Sequence, residues 1–386
     1  MSKEIFIQEL KRIVKSPKRL FLIVLMPMLF FGFFSYVFRE DTPKNLPVAL
    51  TDYDQSPMSR QLVRWLDATT IMQISETAES PKAIENQLKR GDVYAYIIIP
   101  NDFEKNILQG QTTQALCYTN GNYMMPAGFI QSAFMQTVGT LSAGIDVNKR
   151  MKQGTPQSQA LAEVQSIRND AHTLYNPYKN YNFFLSMGFV PLFFQMFVMI
   201  ISIYTLGAMF KYRQARHQLK LAGGNPWALL FGKTLPYTLI FCILALLMDI
   251  YLFKVIGIPM QTGNYLATVF ISFLLVLVNQ SLAVFFVSVT ADLRSALTYG
   301  GGFAALAFAF SGYTFPLGAM PEAVQYLAKT FPFTHFIQSY INTAVRGLPL
   351  SYSTENLIAF VVFISLVIVV FPKFKKRIHQ NGYNEK

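Results

Sequence analysis

The chain carries little charge and few of the residues that usually do chemistry. Only 14% of its 386 residues are Asp, Glu, Lys or Arg, against 52% hydrophobic residues and 35 phenylalanines. Soluble domains carry about 25% charged residues, so an ordinary soluble fold is excluded. Two cysteines make no disulfide framework, and Cys117 and Cys242 fall in a polar and an apolar segment, so they are not expected to pair. His172, His217, His335 and His379 are isolated from one another, which removes a metal site of ordinary ligand spacing. No Ser, His and acid grouping stands at a catalytic spacing, and no catalytic residue is assigned.

What is present is a set of long hydrophobic runs. Six blocks approach the roughly 20 residues that cross a bilayer: 20–38, 183–210, 229–253, 265–289, 297–315 and 357–371, the last extending back toward Ser353. Basic residues set their direction, because loops rich in Lys and Arg stay in the cytoplasm. Lys3, Lys11, Arg12, Lys15, Lys18 and Arg19 outweigh Glu4 and Glu9 before the first block. Lys211, Arg213, Arg216 and Lys220 follow the second, and Lys373, Lys375, Lys376, Arg377 and Lys386 outweigh Glu385 after the last. These three segments together carry the whole formal charge of +12. Asp292 and Arg294 leave the loop after the fourth block neutral.

The pattern predicts a polytopic α-helical membrane protein with six transmembrane helices and both ends in the cytoplasm. Residues 1–19 form a cytoplasmic segment, 20–38 the first helix, 39–182 an extracytoplasmic α/β domain, 183–371 a five-helix transmembrane domain and 372–386 a basic tail. The basic residues then meet the lipid bilayer's anionic headgroups rather than nucleic acid. The first block reads as an uncleaved anchor, since it ends Ser35-Tyr36-Val37-Phe38-Arg39 without a small-x-small cleavage pattern.

Within 39–182, short apolar strands near 48–50, 71–74, 93–99 and 115–118 alternate with helices at 56–67 and 80–90, as in a small α/β layer domain. Ser56-Pro57 and Ser80-Pro81 each offer an N-cap followed by proline. Gly91 ends the second helix, and Pro100-Asn101-Asp102 starts a third. Helices near 125–152 and 158–169 are expected to rise from and return to the membrane. Asp52 and Asp54, with His172, are the acid and base candidates here; the aspartates read as a strand-end turn feeding the Ser56 cap.

The run Gly232-Lys233-Thr234 ends like a phosphate-binding loop, but the position five before Gly232 is Trp227, and the run opens a membrane helix. The preceding basic amphipathic segment, 211–221, closes at Gly223-Gly224-Asn225-Pro226, where glycine stops one helix and proline starts the next. Leu219 and Leu221 with Tyr212 offer an apolar contact, either to a partner or to the lipid surface. Among polar residues in the spans, Lys233 is placed to snorkel and Asp249 lies near the opposite end of the same span. Gln195, Asp249, Asn279 and Gln280 are candidates for a cargo path or for bonds between helices, and Gly301 of the Gly300-Gly301-Gly302 run for close packing.

The runs Ala222-Gly223-Gly224-Asn225-Pro226, Gly232-Lys233-Thr234-Leu235-Pro236 and Met248-Asp249 resemble those of ABC type-2 permeases. So do Phe310-Ser311-Gly312-Tyr313-Thr314-Phe315-Pro316-Leu317-Gly318, Phe331-Pro332-Phe333-Thr334-His335-Phe336 with Arg346-Gly347, and Ile97-Ile98-Ile99-Pro100-Asn101-Asp102-Phe103 in the outer domain. The resemblance spans essentially the whole chain. It implies a permease that pairs with a second permease, like or unlike, and docks a separate ABC nucleotide-binding subunit holding ATP and Mg, with no cofactor in this chain.

In that reading the loop 211–226 couples the two subunits through Tyr212, Arg213, Arg216, Leu219, Leu221, Gly223 and Gly224. The segment 316–351 resembles paired outer helices that enter the outer leaflet partway. Many members begin the coupling helix with acidic residues, whereas this one reads Lys211-Tyr212-Arg213-Gln214-Ala215-Arg216. The most similar subgroup comprises multidrug exporters of Gram-negative inner membranes that work with a periplasmic membrane-fusion protein and an outer-membrane channel. Lipid or polysaccharide export is the alternative within the family, and a membrane sensor or scaffold the alternative outside it.

Overall fold

A computed structural model of the chain describes residues 2–39, 42–75, 81–164, 173–261 and 264–383. The chain forms two compact units, one of Met1–Asp41 with Thr173–Lys386 and one of Thr42–His172.

The first unit opens with α1 (Ser2–Val14), an amphipathic helix that buries Ile5, Glu9 and Ile13 at helical spacing. After α2 (Pro17–Leu20) a π-helical turn, Phe21–Leu25, continues into α3 (Met26–Val37). Together they make one apolar helix, Pro17–Val37, long enough to cross a membrane.

The second unit runs β1 (Leu46–Asp52), α4 (Pro57–Asp67), β2 (Met72–Ser75), α5 (Pro81–Arg90), β3 (Ala95–Ile99), α6 (Phe103–Leu108), β4 (Leu116–Thr119), α7 (Met124–Lys152) and α8 (Gln157–Val164). The sheet order is β2-β1-β3-β4, with β1 parallel to β2 and β3, and β3 antiparallel to β4. Along β3 the side chains alternate, and Ala95, Ile97 and Ile99 point into a core shared with Leu62 and Leu66 of α4 and Ile130 of α7.

Ser56 caps α4 by accepting the Ser59 amide at 3.1 Å, with Pro57 in the first turn. Asp52 holds the strand-end turn: one carboxylate oxygen accepts the amides of Asp54 (3.1 Å) and Gln55 (3.0 Å), the other the Ser59 hydroxyl (2.7 Å). Asp54 instead caps α6, taking the amides of Phe103 at 2.9 Å and Glu104 at 3.1 Å. Both carboxylates are thus occupied by structure rather than chemistry. The Ser80 cap and His172 lie outside the described residues, and Cys117 and Cys242 are free thiols.

The first unit resumes with α9 (Tyr181–Lys211), α10 (Ala215–Leu221) and α11 (Pro226–Ile250), the last continuing through a π-helical turn at Tyr251–Val255. Then come α12 (Tyr265–Val289), α13 (Leu293–Leu306), α14 (Glu322–Ala328), α15 (Pro332–Tyr340) and α16 (Thr354–Gln380). Among the described residues five helices are long and apolar enough to cross a membrane: Pro17–Val37, Tyr181–Lys211, Pro226–Val255, Tyr265–Val289 and Leu350–Gln380. Of these α12 is the most buried and forms the centre of the unit.

The predicted block 297–315 behaves differently. Its helix, α13, has 14 residues, a rise of about 21 Å against the ~30 Å of a hydrocarbon core. The run breaks at Ser311, whose hydroxyl accepts the Tyr313 amide at 3.2 Å, and at Gly312, which turns left-handed with φ +77°. Hydropathy registers the apolar residues on both sides of this break and not the break itself. The close contact of α13 with α9 is made at Gly300, where any Cβ would strike Ile203, rather than at Gly301, whose nearest neighbour, Ile200, leaves 3.9 Å. Across the same interface Gly207 of α9 leaves room for Leu293.

Candidate functional site

The loop between α9 and α11 is a rigid bracket. Helix α9 ends at Lys211, whose ammonium lies over the Tyr212 ring at 5.6 Å. Arg213 then takes a left-handed conformation (φ +52°) and reverses the chain into α10. At the far end Gly223 and Gly224 have φ of +68° and +77°, and their amides bond the carbonyls of Lys220 and Leu219, each at 2.9 Å. This is a Schellman closure, which glycine permits because it has no Cβ to oppose the left-handed turn. Asn225 begins α11 by accepting the amides of Trp227 (2.9 Å) and Ala228 (3.3 Å), with Pro226 in the first turn.

A second brace comes from the end of α16. The Arg216 backbone amide donates to the Asn381 side-chain oxygen, and the Arg216 guanidinium to the His379 carbonyl, both at 2.9 Å. The seven residues of α10 are therefore tied at three points. Leu219 and Leu221 are half-buried against the unit's own core, so part of their apolar surface braces α10. The outward face consists of Arg216, His217 and Lys220 and is basic. Tyr212, Arg213, Gly223 and Gly224 are exposed around it.

Two polar clusters cross the helix packing, one near each end of α11. Lys233 is 3% exposed and does not snorkel; its ammonium meets the Glu9 carboxylate at 2.7 Å. The Arg12 guanidinium donates to the same oxygen at 3.0 Å, and the Tyr237 hydroxyl to the other at 3.4 Å. Lone charges within a span need partners, and the partner here is α1. Near the other end Asp249 is wholly buried, with one oxygen accepting the hydroxyls of Ser272 (3.0 Å) and Tyr340 (2.6 Å). It joins α11 to α12 and α15.

Of the other candidates two bond between helices and one within its own helix. Gln195 donates to the Ala304 carbonyl at 3.2 Å and ties α9 to α13, and Gln280 accepts the Thr238 hydroxyl at 2.7 Å and ties α12 to α11. Asn279 bonds the Leu275 carbonyl of its own helix at 2.8 Å. The residue that sequence reasoning passed over is Glu9. Its signal was available: an acidic residue in register with Ile5 and Ile13 on the apolar face of a short helix, in a chain with an unpaired lysine inside a span.

The sequence profile described as ABC-2 family transporter protein matches residues 18–371. A curated relative, ABC transporter G family member 20 of Dictyostelium discoideum, is 25% identical over 336 residues, which make up 86% of this chain and 44% of the relative. The chain thus spans less than half the length of that relative.

Proposed function

The chain belongs to the ABC-2 family of transporter proteins, a membrane subunit of an ABC transporter, and from that premise we propose that it is the permease of an exporter. It moves a hydrophobic or amphipathic compound outward, driven by ATP hydrolysed on a separate subunit, and works as a dimer with a second permease in a bacterial inner membrane. Basic residues gather at the start of α2, between α9 and α11 and at the end of α16; all three lie on the cytoplasmic side if the chain crosses six times. Helix α13 with the turns after it then supplies the fifth crossing, and the Thr42–His172 unit lies outside. A membrane-fusion protein and an outer-membrane channel are the further partners of the tripartite form.

The observation that carries this reading is the bracing of α10. A short helix fixed at both ends, and tied to α16, transmits a push from a docked ATPase into α9, α11 and α16 instead of absorbing it. Its basic face of Arg216, His217 and Lys220 fits a partner with acidic residues at the docking groove. Replacing His217 and Lys220 together by Glu reverses that face without touching the braces or the core. The double variant is expected to insert and to unfold at the unchanged temperature, while losing co-purification with its ATPase. Normal recruitment and normal stimulation of hydrolysis would make α10 a lipid-surface helix and remove the coupling assignment.

A further inference from the structure

The first unit encloses a cavity of about 660 Å³, within the size range of small-molecule sites. Its floor holds the Glu9, Arg12, Lys233 and Tyr237 cluster, and Arg19 reaches it from α2. Its wall is apolar, with Leu22, Ile23, Phe197, Ile200 and Leu297. Among its lining residues Leu22, Ile200, Tyr204 and Tyr212 are 50%, 37%, 46% and 57% exposed. A pocket charged at one end and greasy at the other fits neither a purely polar metabolite nor a plain hydrocarbon.

The sign of the charge decides what fits. Three cations face one carboxylate, and Glu9 is already committed to Lys233, Arg12 and Tyr237. The Arg19 side chain has no hydrogen bond or ion pair among the described residues. The floor is therefore positive in excess, in a place where low polarity strengthens attraction to an anion. Gln218 adds a buried side-chain oxygen with no donor among the described residues, placed to accept a hydroxyl of a bound headgroup.

We infer that this cavity, formed where α1, α2, α9 and α11 meet, binds an anionic amphiphile, its headgroup at Arg19 and Arg12 and its hydrocarbon tail along Leu22, Phe197 and Ile200. The inference deepens the proposed export function by giving the sign and the polarity of a compound that the permease takes up from the leaflet on the α1 side. It rests on that reading for the direction of transport and not for the binding itself.

The test is binding to the purified full-length protein in a neutral maltoside detergent, with dodecyl phosphate, dodecanoate and dodecyltrimethylammonium as probes. Saturable binding of an anionic probe is expected, with the cationic probe at least tenfold weaker. Preference for dodecyl phosphate over dodecanoate, or the reverse, tells a phosphate from a carboxylate headgroup, and either supports the site. Arg19→Gln removes a guanidinium that makes no bond among the described residues and should weaken the anionic probe at least tenfold. Ile200→Trp should fill the apolar end of the cavity and weaken the same probe, and thermal unfolding of both variants reports that they fold. Equal binding of both signs, or unchanged binding in Arg19→Gln, overturns the inference. So does absence of anionic binding; disulfide cross-linking of two copies through Leu22→Cys would then give the cavity to the dimer contact. Because binding is read without the ATPase, loss of the site leaves the coupling result standing, and loss of coupling leaves the site standing.

Discussion

Lys233 and Asp249 stand 16 residues apart on α11, about 24 Å along its axis, and both are withdrawn from solvent. The surroundings treat them differently. Lys233 meets an opposite charge, Glu9, and both oxygens of that carboxylate are taken. Asp249 meets two neutral hydroxyls, and its second oxygen has no partner among the described residues. A charge pair balances its own desolvation only while both members remain, so it makes α1 and α11 depend on each other. A carboxylate held by hydroxyls acts as an acceptor at a helix junction, a role in which its charge is dispensable.

The comparison is broken most sharply at Glu9. Glu9→Gln leaves the Lys233 ammonium buried without a counter-charge, a loss of about 3–5 kcal/mol. Thermal unfolding followed by a thiol-reactive fluorophore at Cys117 and Cys242 should show a large drop in midpoint. Adding Lys233→Met removes the stranded charge and should recover most of it. If the single variant unfolds like the parent, the pair is not the clasp between α1 and α11.

At Asp249 the expected effects are smaller and depend on the substitute. Asp249→Ala strands the hydroxyls of Ser272 and Tyr340 in the core, a cost of about 1–3 kcal/mol. Asp249→Asn keeps an acceptor oxygen for them and should stay within about 1 kcal/mol of the parent, where an amide–hydroxyl bond is usually worth that much. The same unfolding assay separates the two. Equal losses in both variants would mean that the charge matters at this end as well.

How far the sequence reaches follows from what each feature depends on. Strand β3, helix α4 with its Ser56-Pro57 start, and the Gly-Gly-Asn-Pro break before α11 depend on local chemistry, and each lies within two residues of its expected place. The long apolar helices depend on composition alone, and Tyr265–Val289 coincides with its hydrophobic block. The Glu9 to Lys233 pair depends on two residues 224 positions apart. A lysine near the end of a span looks like a snorkelling residue until its partner helix is in place. The packing of Leu219 and Leu221 is hidden for the same reason, since the sequence does not show the core against which they rest. The break at Ser311-Gly312 was local, but the apolar residues around it dominated the hydropathy.

A third carboxylate, Asp54, extends the comparison to the Thr42–His172 unit, where no membrane-spanning helix is found among the described residues. It is bonded by the Phe103 and Glu104 amides at the start of α6, in contact with water rather than within the helix core. Partial burial pushes this carboxyl up, but the Ser56 hydroxyl and the amides of Glu104, Phe103 and Asp102 together outweigh it and hold it below the usual carboxylate range. A lowered value means that its contribution is complete above the ordinary value near 3.9 and fades as pH falls through the folded one. Hydrogen exchange at the Phe103 and Glu104 amides, corrected for intrinsic rate, should therefore lose protection on acidification below about pH 4. In Asp54→Asn the protection should be lower at neutral pH and insensitive to that acid step. Because water screens the site, the difference at pH 7 should be the smallest of the three, of order a few tenths of a kcal/mol. Protection that falls with acid equally in parent and variant would show that some other group, and not the Asp54 cap, governs the start of α6.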